Sequence, residues 1–203
     1  MITNRLARVL PVLSALFFSA CATDPPTKYF ALHADPAFVA QDAASGKPSR
    51  SDSFGIGPVR LPGILQHPGI VTVKNGNQLL VSSFNVWAGN LEESIGAVLA
   101  DNLSTLSANH RIWSHPWDSR NRPQHQIRII IEEFSGSLGG EVSLRAKWVL
   151  LSDFGKQERQ TNRIALQRSV ATADYTAYVA AMNDLLSEFS HTLYQSIDSV
   201  ITD

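Results

Sequence analysis

The sequence predicts an α/β fold in a single domain, with a mixed, mostly antiparallel sheet packed by two main helices, the second long and C-terminal. The length of 203 residues and the hydrophobic fraction of 44% suit one domain with a real core. Several runs alternate apolar and polar residues, as strands do, and two stretches repeat apolar residues at helical spacing. The order of these runs predicts one sheet with both helices against it.

Each predicted strand is a β-rich run bounded by turn residues. The best-defined turn is Asn75-Gly76, which is the strongest short signal for a hairpin. The late strands form a three-strand meander, because apolar residues alternate along each of them. In chain order, the predicted strands cover 29–32, 54–62, 70–74, 78–84, 111–113, 127–134, 142–150 and 162–171.

Two helices are predicted from apolar residues three and four positions apart. The first begins at Leu91 and runs to Leu106, with Asn90 as its N-cap. The second covers 174–201, and Asp174 can cap it. We expect its apolar stripe to pack on the chain's own sheet, and pairing with a second copy is the alternative.

The single cysteine, Cys21, excludes a disulfide within the chain. Arg5 and Arg8 precede a short apolar run, which is the layout of a secretory signal peptide. The tetrad Phe18-Ser19-Ala20-Cys21 resembles the bacterial lipobox, in which the cysteine sulfur receives a diacylglycerol and the new amino terminus an acyl chain. An ordinary signal peptide with a stray cysteine is the alternative.

The lipobox interpretation divides the chain into three parts. Residues 1–20 are a signal peptide, 21–28 a lipidated tether, and 29–203 a periplasmic domain. Lipidation at Cys21 would anchor the protein stably, because two or more acyl chains suffice for this. Ala22 rather than aspartate follows the cysteine, which under the sorting rule of enteric bacteria favours the outer membrane. No other cofactor is expected.

Composition and motifs give no case for an enzyme or a nucleic-acid partner. The net charge of −1 lacks the basic surplus that phosphate backbones need. No Gly-x-Ser-x-Gly or His-Glu-x-x-His motif is present. His110, His115 and Asp118 could form a metal or catalytic site, but loop histidines without a metal are the preferred interpretation. Trp117, in the same region, is equally compatible with core packing and with contact to a partner or lipid.

Several ordered motifs together resemble one family. The resemblance rests on Gly57-Pro58-Val59-Arg60-Leu61-Pro62 with Leu65, Pro68 and Ile70-Val71 after it, Tyr29-Phe30-Ala31-Leu32 before it, Trp87 ahead of the first helix, Leu144-x-Ala146-x-Trp148, and Tyr175-x-x-Tyr178-Val179-Ala180-Ala181-Met182. These motifs are similar to those of the PqiC-type lipoproteins, also called ABC-type transport auxiliary lipoprotein components. The resemblance spans nearly all of the chain after the tether.

The resemblance implies a non-enzymatic accessory lipoprotein that works with MCE-domain proteins and their inner-membrane components in lipid transport between membranes. It also implies docking of the periplasmic tunnel at the outer membrane, with a ring of copies as one arrangement. Interface candidates are Leu61, Pro62, Leu65, Pro68 and Trp117, although a core-packed connection is the preferred interpretation of residues 61–71. The alternatives are a stand-alone lipid- or small-ligand-binding lipoprotein and a cryptic envelope hydrolase using His115 or Asp118.

Overall fold

A computed structural model describes residues 24–38, 52–107 and 110–201 of the chain. Cys21, the signal peptide and residues 39–51 lie outside this part. The strands are β1 Lys28–Phe30, β2 Ser53–Arg60, β3 Gly69–Lys74, β4 Gln78–Trp87, β5 Arg111–Ser114, β6 His125–Gly136, β7 Glu141–Ser152 and β8 Gln157–Ser169. The helices are α1 Leu91–Leu106 and α2 Tyr175–Ile201. The predicted fold class, a mixed α/β domain with two main helices, is confirmed.

The strands lie in two sheets rather than in the one sheet expected. The larger sheet has the order β5-β2-β6-β7-β8, with β2 parallel to both neighbours and antiparallel pairing from β6 to β8. The smaller has the order β1-β4-β3. Between β2 and β3 the chain passes through Pro62 and a 3-10 turn at Gly63–Gln66. β2 ends at Arg60, and β3 pairs with β4 in the smaller sheet.

Local signals set the helix starts and the hairpin. The Asn90 side chain accepts a hydrogen bond from the Glu93 amide at 3.0 Å, and the Asp174 carboxylate accepts one from the Ala177 amide at 2.9 Å. Both caps are therefore confirmed. Asn75 and Gly76 have φ angles of 53° and 78°, which is the left-handed backbone that a tight hairpin turn requires.

The core lies between the two helices and one face of the larger sheet. Helix α1 packs over β5 and β2, while α2 packs over β7 and β8. The stripe of α2 is buried on this chain's own sheet, and Phe189 meets Trp148 with ring centroids 5.5 Å apart. Trp87 is also buried.

Tyr178 connects three elements in the interior. Its hydroxyl donates to the Val71 carbonyl of β3 at 2.9 Å and accepts from the Gly136 amide of β6 at 2.9 Å. The side chain is 0% exposed. One residue of α2 therefore satisfies backbone groups in both sheets, which fixes the smaller sheet against the larger.

The second face of the larger sheet points away from both helices, and we call it the outer face. Along β6, Ile127, Ile129 and Ile131 are buried under the helices, while Arg128 and Ile130 between them are exposed on the outer face. The period of two in the strand produces this division. Within the described residues no helix covers the outer face.

Candidate functional site

The predicted interface segment has a buried side and a surface side. Leu61 and Leu65 are 8% and 5% exposed, so both belong to the core. Pro62 is half-buried and Pro68 is exposed, while Ile64 between them is 41% exposed. The segment's surface therefore comes from Ile64 and the prolines, and the two leucines fix its shape from below.

Glu92 of α1 holds this segment in place. Its Oε1 accepts a hydrogen bond from the Leu61 amide at 3.0 Å and one from the Gln66 side chain at 3.2 Å. The Leu65 amide donates to the Pro62 carbonyl at 2.9 Å, which closes the turn. Ile64 is therefore presented on a hydrogen-bonded loop that is attached to a helix start.

Trp117 lies elsewhere, over the outer face of β2. It is half-buried, and its ring is so close to Gly55 that a Cβ there would approach it to 2.7 Å. The His115 ring meets it edge-on at 4.9 Å. The structure does not bring Trp117 together with the surface side of residues 61–68.

The sequence offered a metal or catalytic site at His110, His115 and Asp118 as an alternative. In the structure, these residues make structural contacts instead. Nδ1 of His110 lies 2.6 Å from the Ser107 hydroxyl, and its ring packs edge-on to Phe54. The Asp118 carboxylate caps a short 3-10 turn by accepting from the Arg120 amide at 2.9 Å. Across the described part of the chain, no three His, Cys, Asp or Glu side chains form a potential metal site.

A cavity that the sequence did not reveal lies on the outer face. Its volume is about 390 Å³, and it is lined mainly by residues of β2, β6 and β7 together with Trp117 and Arg122 of the preceding loop. Four lining residues are cations and none is acidic: Arg60, Arg122, Arg128 and Lys147. We call these four residues the cation cluster. Alternation along β6 and β7 assigns Arg128 and Lys147 to outward positions, but pairing with β2 is not visible in the sequence.

Two members of the cation cluster have fixed partners. Lys147 forms an ion pair with Glu132, and the hydrogen bond from Lys147 is the main cause that lowers the pKa of the Glu132 carboxyl. The Arg128 guanidinium donates to Oε1 of Gln126 at 3.1 Å. Gln126 is 1% exposed, and its Nε2 has no hydrogen-bond partner among the described residues. Gln126 therefore positions Arg128 beside the cavity.

One family model matches most of the chain. The family model described as ABC-type transport auxiliary lipoprotein component matches residues 36–193, which confirms the resemblance drawn from the sequence motifs. No curated protein matches the chain in sequence. Within the described residues, no helix has the length and apolar character needed to cross a membrane.

Two solved structures share the fold at low sequence identity. A crystal structure of an uncharacterized protein has a TM-score of 0.69 and 18% identity, over 85% of this chain and 99% of that chain. A DUF330 protein from Xanthomonas campestris has a TM-score of 0.64 and 15% identity, over 83% of this chain and 93% of that chain. These similarities concern the fold alone.

Proposed function

Because the chain belongs to the family of ABC-type transport auxiliary lipoprotein components, we propose that it is a non-enzymatic accessory lipoprotein of an MCE-type lipid-transport system. It is anchored through acyl chains on Cys21 in the outer membrane and faces the periplasm. There it docks the MCE tunnel, whose other end connects to inner-membrane components. A ring of copies is the arrangement that we propose at the outer membrane.

The observation that carries this proposal is the family match over residues 36–193, which includes every strand except β1, all of α1 and most of α2. An auxiliary transport component acts through a transporter, so its function depends on contacts with other proteins of the system. A lipoprotein of such a system belongs to the cell envelope. The predicted lipobox at Cys21 supplies the attachment, since acylated chains give stable membrane binding.

We propose two surfaces for these contacts. One is the loop around Ile64, whose backbone is held by Glu92. The other is the smaller sheet, which carries four of the seven exposed large hydrophobic residues of the described chain: Tyr29, Leu79, Leu80 and Phe84. Exposed apolar side chains concentrated in this way are typical of protein contact surfaces.

The test is co-purification from envelopes solubilised in mild detergent. The full-length, lipidated protein should bring down the MCE-domain protein encoded in the same cell. Ile64→Asn should weaken this recovery, because it replaces an exposed apolar contact without entering the core. Loss of the MCE protein from wild-type pull-downs, with that protein present in the extract, would contradict the proposed function.

The matched control is Phe154→Asn. Phe154 is also a large exposed hydrophobic residue, at 45%, but it lies in the β7–β8 connection, far along the chain from residue 64. Its φ of 55° is left-handed, which asparagine tolerates well. Recovery of the MCE protein should be unchanged in this variant. Equal loss in both variants would mean that the Ile64 loop has no special part in docking.

A further inference from the structure

We propose that the outer-face cavity binds one anionic phospholipid, with its phosphate on the cation cluster and its acyl chain on the adjacent apolar surface. This goes beyond the accessory role and does not depend on it. The cavity volume of about 390 Å³ falls within the range of small-ligand sites. It accommodates a headgroup and the start of a chain rather than a whole lipid.

The strand pairing places the cations close together on the same face. Arg60 of β2 pairs with Ile130 of β6, which pairs with Lys147 of β7, so the three side chains form one row across the sheet. Arg128 stands two residues from Ile130 on the same strand and face, about 7 Å away. Neighbouring strands are about 5 Å apart. A phosphate above Ile130 is therefore within reach of several guanidinium groups.

The charge of this cluster is only partly neutralised. Glu132 pairs with Lys147, but Arg60, Arg122 and Arg128 form no ion pair within the described part of the chain. All three arginines are exposed. This surplus of positive charge is local to the cavity, because the whole chain has a net charge of −1. Arginine suits phosphate especially well, since its planar fork can donate two parallel hydrogen bonds.

Apart from the cations, His115 and Gln126, the lining is apolar, which distinguishes a lipid site from a site for a free anion. Ile130 stands between the cations and is 47% exposed. Pro58, Trp117, Ile129 and Val149 complete this apolar part. An ionic ligand alone would leave these side chains in water, whereas a phospholipid would cover them while its phosphate meets the arginines. An anionic amphiphile therefore fits both halves of the lining.

The experiment uses the full-length lipidated protein in nonionic detergent, titrated with dioctanoyl phosphatidylglycerol. Native mass spectrometry measures the fraction of protein that carries one lipid molecule. We expect a one-to-one adduct, and Arg60→Gln/Arg128→Gln should weaken it by at least about tenfold, because two charge-assisted contacts are lost. The matched control, Lys74→Gln/Arg111→Gln, removes two exposed cations outside the cavity and should bind like the wild type.

Inorganic phosphate and dioctanoyl phosphatidylcholine separate the sources of binding. Inorganic phosphate should compete at least about tenfold more weakly than phosphatidylglycerol, because it leaves the apolar lining uncovered. Equal competition would overturn the lipid proposal in favour of a free-anion site. Equal binding of phosphatidylcholine, or unchanged phosphatidylglycerol binding in the Arg60/Arg128 variant, would also overturn it.

A docking role for the same surface gives a different result. If the Arg60/Arg128 variant lost the MCE protein in pull-downs while lipid binding was absent from the wild type, the cluster would be a protein contact and the lipid proposal wrong. Retained co-purification together with lost lipid binding supports the lipid site and leaves the accessory role intact. Circular dichroism melting of both double variants verifies that they fold.

Discussion

His125 shows how one buried side chain makes the stability depend on pH. It is 8% exposed and stacks on Phe54, with ring centroids 4.7 Å apart. Burial is the largest cause that lowers the pKa of His125, and Arg159 and His110 act in the same direction. Asp52 opposes them from 4.0 Å. The folded state therefore favours the neutral imidazole.

The resulting prediction is a loss of stability on acidification. With its pKa lowered on folding, His125 contributes stability above its unfolded pKa of about 6.5, and this contribution disappears as the pH falls below that value. His125→Phe keeps a ring against Phe54 but cannot titrate, so its free energy of unfolding should fall less between pH 7 and pH 5. Urea unfolding at both pH values measures this. An equal fall in wild type and variant would show that His125 is not the group responsible.

At the residue scale, sequence reasoning succeeds where the interaction is local. Asn90 and Asp174 could be assigned as caps because their partners lie three residues away. The contact from Gln126 to Arg128 and the row from Arg60 to Lys147 depend on pairing between strands that are far apart in the chain. For the same reason, the sequence does not decide whether Leu61 and Leu65 belong to an interface or to the core. The packed structure places both in the core.

At the scale of elements, the junction between the two sheets rests on α2. Tyr178 bonds to Val71 in one sheet and Gly136 in the other, over sequence separations of 107 and 42 residues. Burial raises the pKa of Tyr178, so its hydroxyl stays protonated and can donate at physiological pH. A mixed α/β fold was predictable from periodicity, but periodicity does not show which strand edges pair. The division into two sheets was therefore missed.

The element-scale prediction concerns this junction. Tyr178→Phe should lower the free energy of unfolding by about 1–3 kcal/mol, because a buried carbonyl and a buried amide each lose a partner. Equilibrium denaturation in urea measures the change. Tyr175→Phe removes a hydroxyl from the first turn of the same helix, at a half-buried position, and should cost less than about 0.5 kcal/mol. Equal costs in the two variants would mean that the Tyr178 hydrogen bonds do not matter.

At the scale of the whole molecule, the anchor and the folded domain have separate roles. Cys21→Ser should abolish acylation, so the protein should leave the outer-membrane fraction while its folded domain persists. Membrane fractionation and intact-protein mass spectrometry test this. A serine variant that still carries lipid or still fractionates with the outer membrane would refute the lipobox interpretation. Thermal melting should be close to that of the wild type, because residue 21 precedes the described elements.

The position of β1 at the start of the fold determines how the domain responds to a pull on the tether. Any pull on the segment before residue 28 enters the fold first through Lys28–Phe30, which pairs with only three residues of β4. Behind it, the Asp35 carboxylate accepts from the Ser187 hydroxyl at 2.7 Å, and the Asp35 amide donates to Asn102 at 2.9 Å. Under load, β1 would detach first and lengthen the tether by about 10 Å. The contacts of Asp35 with both helices would then hold the core intact.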